Sequence, residues 1–255
     1  MARRVVSRFY ELVLGKHPNN TIFSFNYHNV RHLNRYLRQA RAKIPGSGLL
    51  LVDIGAGKSP YYPIFADITA RYVALDVPES LAAGSNVHVE RVGALAERVP
   101  LAGAVADVVI SNQVLEHVIA PEAVAGEIYR ILKPGGLFIG SVPHISPVHL
   151  EPYDFRRYTD LGVRQLLHNA GFTGIEIEGS GGVYSAAALM IAMDWVLSTR
   201  REGQPQRFSN GRAFALFPLV GLLNGTGLLL DSVLPDKQRS PSNLCWTARK
   251  PSASL

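Results

Sequence analysis

The stretch Leu49–Gly57, Leu-Leu-Leu-Val-Asp-Ile-Gly-Ala-Gly, decides the fold of this 255-residue chain. Its first six residues are apolar except for Asp53, which is typical of a buried parallel strand covered by helices on both faces. The two glycines that follow allow positive φ values and let a ligand approach the backbone closely. The stretch therefore predicts a central strand of an α/β sheet that ends in a ligand-binding turn.

Strand-like and helix-like segments alternate along the rest of the chain. Strands are predicted at 71–75, 105–111, 137–142, 175–178 and 243–248, and helices at 28–43, 121–132 and 160–170. This alternation is typical of βαβ units that build a parallel sheet. Lys133–Gly136, with the sequence Lys-Pro-Gly-Gly, is predicted to form a turn before the strand at 137.

The pattern divides the chain into four segments. These are a basic helical segment that would act as a lid or cap, a core, an apolar helical insertion, and a last strand with its tail, at 1–48, 49–182, 183–242 and 243–255. Within the insertion, the uncharged stretch Ala213–Leu230 is near the lower length limit for crossing a bilayer. Because it contains Pro218, Asn224 and three glycines, we expect broken helices that pack on the domain or touch a membrane interface.

Charge is distributed unevenly in this sequence. Residues 1–48 contain nine Lys or Arg and one acid, a balance of +8, whereas the whole chain carries +6. This asymmetry indicates either an anionic partner such as a membrane surface or a solvated amphipathic helix. The single cysteine, Cys245, excludes an intrachain disulfide and favours a reducing compartment. We expect a cytoplasmic protein that could contact a membrane peripherally.

Asp76 closes the next predicted strand, 21 residues after Gly55. An acid at this position can accept hydrogen bonds from both ribose hydroxyls of an adenosine cofactor. A phosphate-binding loop is excluded at Gly57-Lys58-Ser59, because Val52 stands where that motif needs a glycine. A dinucleotide site is disfavoured, because Pro60 occupies the place of the third glycine.

Four motifs then occur in order. They are Leu51–Gly57, Ala74–Asp76, Val114–Val118 and Glu127–Gly136. Together they resemble the type 11 branch of class I S-adenosylmethionine (SAM)-dependent methyltransferases, over about residues 49–179. The resemblance implies a Rossmann-like sheet, mostly parallel with an antiparallel last strand and helices on both faces. The later stretch Glu151–Thr159 resembles members associated with glycan and natural-product pathways.

The resemblance also implies SAM as the cofactor and assigns residues to it. The methionine end would be lined by Asp53, Gly55 and Gly57, the ribose would be held by Asp76, and the sulfonium would be bordered by Asn112 and Gln113. Gly93–Ala96 stands where the family usually places an acid for the adenine, so backbone groups are expected to serve there. His117 is expected to be structural.

Catalytic residues are expected after the strand at 137–142, because acceptor and base normally lie beyond the carboxyl ends of the strands. His144 follows that strand directly and is the first candidate for a general base, since an imidazole can take up a proton near neutral pH. His149 is the second candidate, and His144 could instead only cap a loop. Candidates for binding a polar acceptor are Glu151, Asp154, Arg156 and Tyr158, although an arginine here could simply form a surface ion pair.

The same histidines and acids could also bind a divalent metal. Their spacing matches no ligand pattern, so metal dependence is not favoured. The sequence therefore predicts an O-methyltransferase that acts on a hydroxyl of a polar small molecule such as a sugar or glycan. Two alternatives stay open: a lipid or quinone methyltransferase at a membrane surface, and a SAM-binding partner protein without turnover. A homodimer through the insertion is a further option, and no nucleic acid is expected because no base-handling motif is present.

Overall fold

The structure is a computed structural model that describes residues 13, 15, 17–81, 86–197, 210–234 and 240–252. The chain divides into two compact units. The first, here called the helical unit, comprises residues 1–34, 144–154 and 179–243, and the second, the sheet unit, comprises 35–143, 155–178 and 244–255. Most of the predicted basic segment before residue 17, and residues 198–209 and 235–239 of the predicted insertion, lie outside the described residues.

Seven strands form one sheet. They are β1 (Leu49–Ile54), β2 (Thr69–Asp76), β3 (Val89–Gly93), β4 (Ala106–Asn112), β5 (Leu132–Pro143), β6 (Thr173–Ser180) and β7 (Asn243–Arg249). The order across the sheet is β3-β2-β1-β4-β5-β7-β6. In this sheet order, the five strands from β3 across to β5 pair in parallel with one another, and the last strands are antiparallel. The predicted Rossmann-like, mostly parallel sheet is confirmed.

Seven helices accompany these strands in the described residues. They are α1 (Tyr27–Ala42), α2 (Tyr62–Phe65), α3 (Pro78–Leu81), α4 (Pro121–Ile131), α5 (Asp160–Asn169), α6 (Val183–Val196) and α7 (Asn210–Val233). α5 begins after Thr159, whose hydroxyl oxygen accepts the N–H of Gly162 at 3.1 Å, a typical N-cap. Apolar residues of α4 and α5, among them Ile128 and Leu167, share one buried cluster with Val52 and Phe138 of the sheet. This cluster holds β1 in the centre of the sheet unit.

The predicted turn at Lys133–Gly136 is wrong, because these residues lie inside β5. The N–H of Gly135 donates to the carbonyl of Lys250 at 2.9 Å, and the N–H of Lys250 donates to the carbonyl of Gly136 at 3.0 Å. These bonds draw the stretch into the sheet. The strand β3 was not predicted, since only Val89 of its five residues is buried and no alternating pattern marks it.

The prediction of broken helices at Ala213–Leu230 is also wrong, because α7 is one helix with Pro218 inside it. Contacts within the helical unit support this helix. Asn224 donates to the carbonyls of Ile22 and Ser24 at 2.7 and 2.9 Å, and a Cβ added at Gly221 would lie 2.4 Å from the Phe23 ring. The glycine in α7 therefore serves the close approach of residues 22–24.

The carboxylate of Asp231 links the end of α7 to the start of α6 through hydrogen bonds. Asp231 near the end of α7 accepts the N–H groups of Gly182, Tyr184 and Ser185 at 3.1–3.2 Å. These are N–H groups that a helix leaves unsatisfied at its start. By length and composition the window Phe214–Val233 of α7 could cross a membrane, and 22% of it is buried inside the protein.

The packing of Gly140 against Trp246 gives a test of the sheet register. A Cβ added at Gly140 would lie 2.2 Å from Cζ2 of the Trp246 ring, which is fully buried. Gly140→Ala should therefore lower the free energy of unfolding by about 1–3 kcal/mol through overpacking, as measured by urea denaturation.

Gly126→Ala is the matched control for this substitution. No described heavy atom lies within 4 Å of its added Cβ, and the position is inside α4. Alanine should therefore raise the free energy of unfolding by about 0.5–1 kcal/mol. A Gly140→Ala protein as stable as the wild type would show that β5 and β7 do not pack in this register.

Candidate active site

The loop after β1 adopts the backbone that the two glycines predict. φ is +72° at Gly55 and +50° at Gly57, and the N–H groups of Gly55 and Ala56 both donate to the carbonyl of Leu75 at 2.8 and 3.1 Å. A Cβ at Gly55 would lie 2.2 Å from Val114 Cγ2, whereas a Cβ at Gly57 would meet no described heavy atom within 4 Å. Gly55 therefore serves packing, and Gly57 leaves its backbone open to a ligand.

Asp76 lies at the end of β2 and holds this loop in place. Its Oδ2 accepts the N–H of Gly57 at 2.8 Å, and its Oδ1 accepts the N–H of Val77 at 2.7 Å. Each carboxylate oxygen has two lone pairs, so both can accept a further hydrogen bond. The structure thus brings Asp76 and Gly57 together and leaves Asp76 able to accept two hydroxyl groups.

Asp53 is 1% exposed, and its Oδ2 accepts the hydroxyl of Tyr72 at 2.6 Å. Burial raises the pKa of Asp53 to about 7, although the hydrogen bond from Tyr72 acts in the opposite direction. Because the pKa is higher in the folded chain than the ordinary 3.8, this carboxyl costs folding free energy progressively as the pH rises from about 4 to 7. Tyr72 was missed by the sequence analysis, since nothing local marks it as a partner of Asp53.

Asn112 and Gln113 meet Ser141 at the ends of β4 and β5. Asn112 Oδ1 accepts the Ser141 hydroxyl at 3.0 Å, and Gln113 Nε2 donates to Ser141 Oγ at 3.2 Å. φ of Gln113 is +58°, a left-handed value that residues with a side chain seldom adopt. Asn112 Nδ2 is buried and has no hydrogen-bond partner among the described residues, so a ligand could satisfy it. Ser141 was not singled out by the sequence analysis.

These groups share one edge of the sheet. β2, β1 and β4 are adjacent and parallel, so their carboxyl ends meet where ligands bind in such sheets. The edge offers the acceptors of Asp76, the open backbone at Gly57 and the unsatisfied amide of Asn112. An adenosine-containing cofactor with a polar amino-acid end, such as SAM, fits this donor and acceptor set.

Among the residues predicted beyond β5, the structure brings His149 and Asp154 together, in the helical unit. Asp154 Oδ2 accepts the His149 N–H at 2.7 Å and lies 3.4 Å from its ring Nδ1. Nδ1 is also 3.0 Å from the carbonyl of Pro147. His144 directly follows β5, and its N–H donates to the carbonyl of Ser242 at 2.9 Å. The roles of His144, His149, Glu151 and Asp154, and the metal hypothesis, stay predictions.

Arg156 and Tyr158 hold the turn at residues 115–119 of the sheet unit. The Arg156 guanidinium donates to the carbonyls of Val118 and Ile119 at 2.5 and 2.8 Å. The Tyr158 hydroxyl donates to the carbonyl of Leu115 at 3.1 Å, and burial raises the pKa of Tyr158 to about 12. Both side chains thus fix residues 115–119, and their contact with an acceptor stays a prediction.

Comparison with known proteins also relates the sheet unit to SAM-dependent methyltransferases. Residues 52–140 match the type 11 family model described as a methyltransferase domain. The chain is 33% identical over 174 residues to a probable SAM-dependent methyltransferase of Mycolicibacterium smegmatis, with 64% of this chain and 65% of that protein covered. It is 32% identical over 117 residues to a ubiquinone biosynthesis O-methyltransferase of Cereibacter sphaeroides, with 43% and 47% covered.

Among solved structures, the [4+2]-cyclase SpnF has a similar fold. The TM-score is 0.60 at 17% identity, and 88% of this chain and 82% of the cyclase are covered. At this identity the likeness concerns the fold alone. The chain spans 65% of the length of the Mycolicibacterium protein and less than half of the Cereibacter protein.

Substitution of Asp76 tests the cofactor edge. Asp76→Ala should weaken SAM binding by roughly 2–4 kcal/mol, because two charge-assisted hydrogen bonds to the ribose are lost together with the anchor of Gly57. Calorimetric titration measures the affinity. Asp67→Ala is the matched control, since Asp67 is an exposed acid that pairs with Arg41 and should leave the affinity unchanged. An Asp76→Ala protein that binds SAM as well as the wild type would refute the assignment.

Proposed function

We propose that this chain, whose residues 52–140 match the type 11 methyltransferase domain, transfers a methyl group from SAM to a hydroxyl oxygen of a small acceptor. The observation that carries this proposal is the shared edge of β2, β1 and β4. There Asp76 holds Gly57 at 2.8 Å, and Asn112 Nδ2 is buried with no partner among the described residues.

Methyl transfer requires that SAM and the acceptor are positioned in line and that the acceptor hydroxyl loses one proton. SAM, when bound, supplies a methyl group on a positively charged sulfur, which is already a strong electrophile. Asp76 would bind the ribose hydroxyls, and the backbone at Gly57 and the amide of Asn112 would orient the rest of the cofactor. Fixing both reactants in line contributes most of the rate enhancement in such a transfer. The acceptor hydroxyl must give its proton to a base as its oxygen bonds to carbon.

We assign this base to His144, with His149 as the alternative. His144 is supported by its place directly after β5, at the carboxyl end of a strand that pairs with β4. His149 is supported by Asp154, whose carboxylate lies 3.4 Å from Nδ1 and would stabilise a protonated ring. A metal is not required by this scheme.

The acceptor that we propose is a polar hydroxyl compound, such as a sugar or glycan, in the cytoplasm. Its binding groups would come from Glu151, Asp154, Arg156 and Tyr158. A second candidate is a lipid or quinone hydroxyl at a membrane surface. The observation that favours it is the exposed apolar side of α7, and one relative is named a ubiquinone biosynthesis O-methyltransferase.

His144→Ala should lower turnover by about 10²–10⁴-fold, because the acceptor proton loses its base. SAM affinity should stay unchanged, since His144 would touch the acceptor. The measurement is transfer of labelled methyl from SAM to a panel of sugars, phenols and quinols.

His168→Ala is the control for this experiment, because His168 is exposed on α5 and belongs to no proposed site. It should react at the wild-type rate. Normal turnover of His144→Ala would move the base to His149. SAM binding without methyl transfer to any acceptor of the panel would instead favour a SAM-binding partner protein.

A further inference from the structure

α7 has an outward face that is apolar except for the exposed hydroxyl of Thr226 near its middle. Leu219, Leu222, Leu229 and Val233 are all more than half exposed, and Leu222 and Leu229 reach 69% and 61%. Their spacing of three, four or seven residues places them on one side of the helix. No charged residue occurs between Phe214 and Leu230. A contiguous exposed apolar surface of this kind marks an interaction site.

α7 differs from an ordinary surface helix, whose outward side is polar, because it is apolar on both sides. Its inward side packs Val220 against Ala192 and Val196 of α6, and the polar side chains of Asn224 and Asp231 are also directed into the helical unit. Asn224 is fully buried and bonds to the carbonyls of Ile22 and Ser24. Asp231 caps the start of α6. The outward leucines are therefore not the misplaced core of a soluble helix.

The partner helix α6 adds a second exposed line that is apolar except for Asp194. Val183, Ile191 and Trp195 are exposed at 36–41%, and Ala187 between them is exposed too. These positions follow one another at intervals of four residues, so they lie on one side of α6. Trp195 stands near the end of this line, and tryptophan is the side chain enriched at the boundary between lipid and water.

The sequence that connects α6 with α7 is basic. Residues 198–212 contain four arginines and one acid. Basic segments beside an apolar face are attracted to anionic lipid, by about 1 kcal/mol for each Lys or Arg near the surface. We propose that the exposed sides of α6 and α7 bind the surface of an anionic lipid bilayer.

A second copy of the chain is the less suitable occupant. A two-fold dimer brings together two copies of the same patch, so it would double the positive charge that the sequence carries between α6 and α7 and supply no negative charge to match it. A bilayer with anionic headgroups instead complements both the apolar face and the positive charge. α6 has 14 residues, about 21 Å of helix, which is shorter than the roughly 30 Å of a hydrocarbon core. α7 alone is long enough to cross, but its inward side is bound to α6 and to residues 22–24. The proposed contact is therefore made by the outward sides of both helices with the lipid interface.

Sedimentation of the full chain with lipid vesicles tests this proposal without SAM or acceptor, so its failure would leave the proposed methyl transfer untouched. Vesicles of phosphatidylcholine alone are compared with vesicles that also contain about 30 mol% phosphatidylglycerol. The test variant combines Leu222→Glu with Leu229→Glu. The matched control combines Val87→Glu with Leu161→Glu, two apolar residues exposed at 89% and 70% in the sheet unit.

The wild type and the control should bind the anionic vesicles equally and the neutral vesicles much less. The test variant should bind roughly 100-fold less, since two leucines no longer enter the lipid. Circular dichroism and thermal unfolding show that both variants keep the fold. The proposal is overturned if the wild type ignores anionic vesicles, or if the test variant binds them as well as the control. It is equally overturned if lipid-free wild type is a dimer that ignores vesicles and the test variant is a monomer.

Discussion

The carboxylate of Asp76 is the group on which the candidate cofactor edge depends. By accepting the N–H groups of Gly57 and Val77, it fixes the loop after β1 against the end of β2. Two further hydrogen bonds, from the N–H groups of Gly55 and Ala56 to the carbonyl of Leu75, hold the same loop against β2. The edge is therefore organised before a cofactor arrives, so little ordering entropy has to be lost on binding. The proposed methyl transfer rests on this arrangement of the loop.

The buried pair of Asp53 and Tyr72 shows what the site costs in stability. A carboxyl group in the centre of the sheet is disfavoured by burial, which raises the pKa of Asp53 to about 7. An apolar residue at this position would be expected to suit the core better. Local rules of stability are broken in this way mainly at functional positions. The arrangement is thus consistent with a role of Asp53 at the cofactor edge.

The sequence was sufficient for features that depend on neighbouring residues. The apolar run of β1, the positive φ at Gly55 and Gly57, and the end of β2 at Asp76 all follow from local pattern. Features that depend on distant partners were not predictable. Ser141 meets Asn112 only through the pairing of β4 and β5, and the stretch Lys133–Gly136 becomes strand because of Lys250.

A crystal structure of the full chain with S-adenosylhomocysteine tests the central claim most directly. The account predicts that both ribose hydroxyls lie within hydrogen-bond distance of the Asp76 carboxylate, and that Asn112 Nδ2 gains a partner in the ligand. The loop after β1 should keep its backbone, because it is already held by Asp76 and Leu75. A nucleoside bound elsewhere, with Asp76 touching only Gly57 and Val77, would contradict the account.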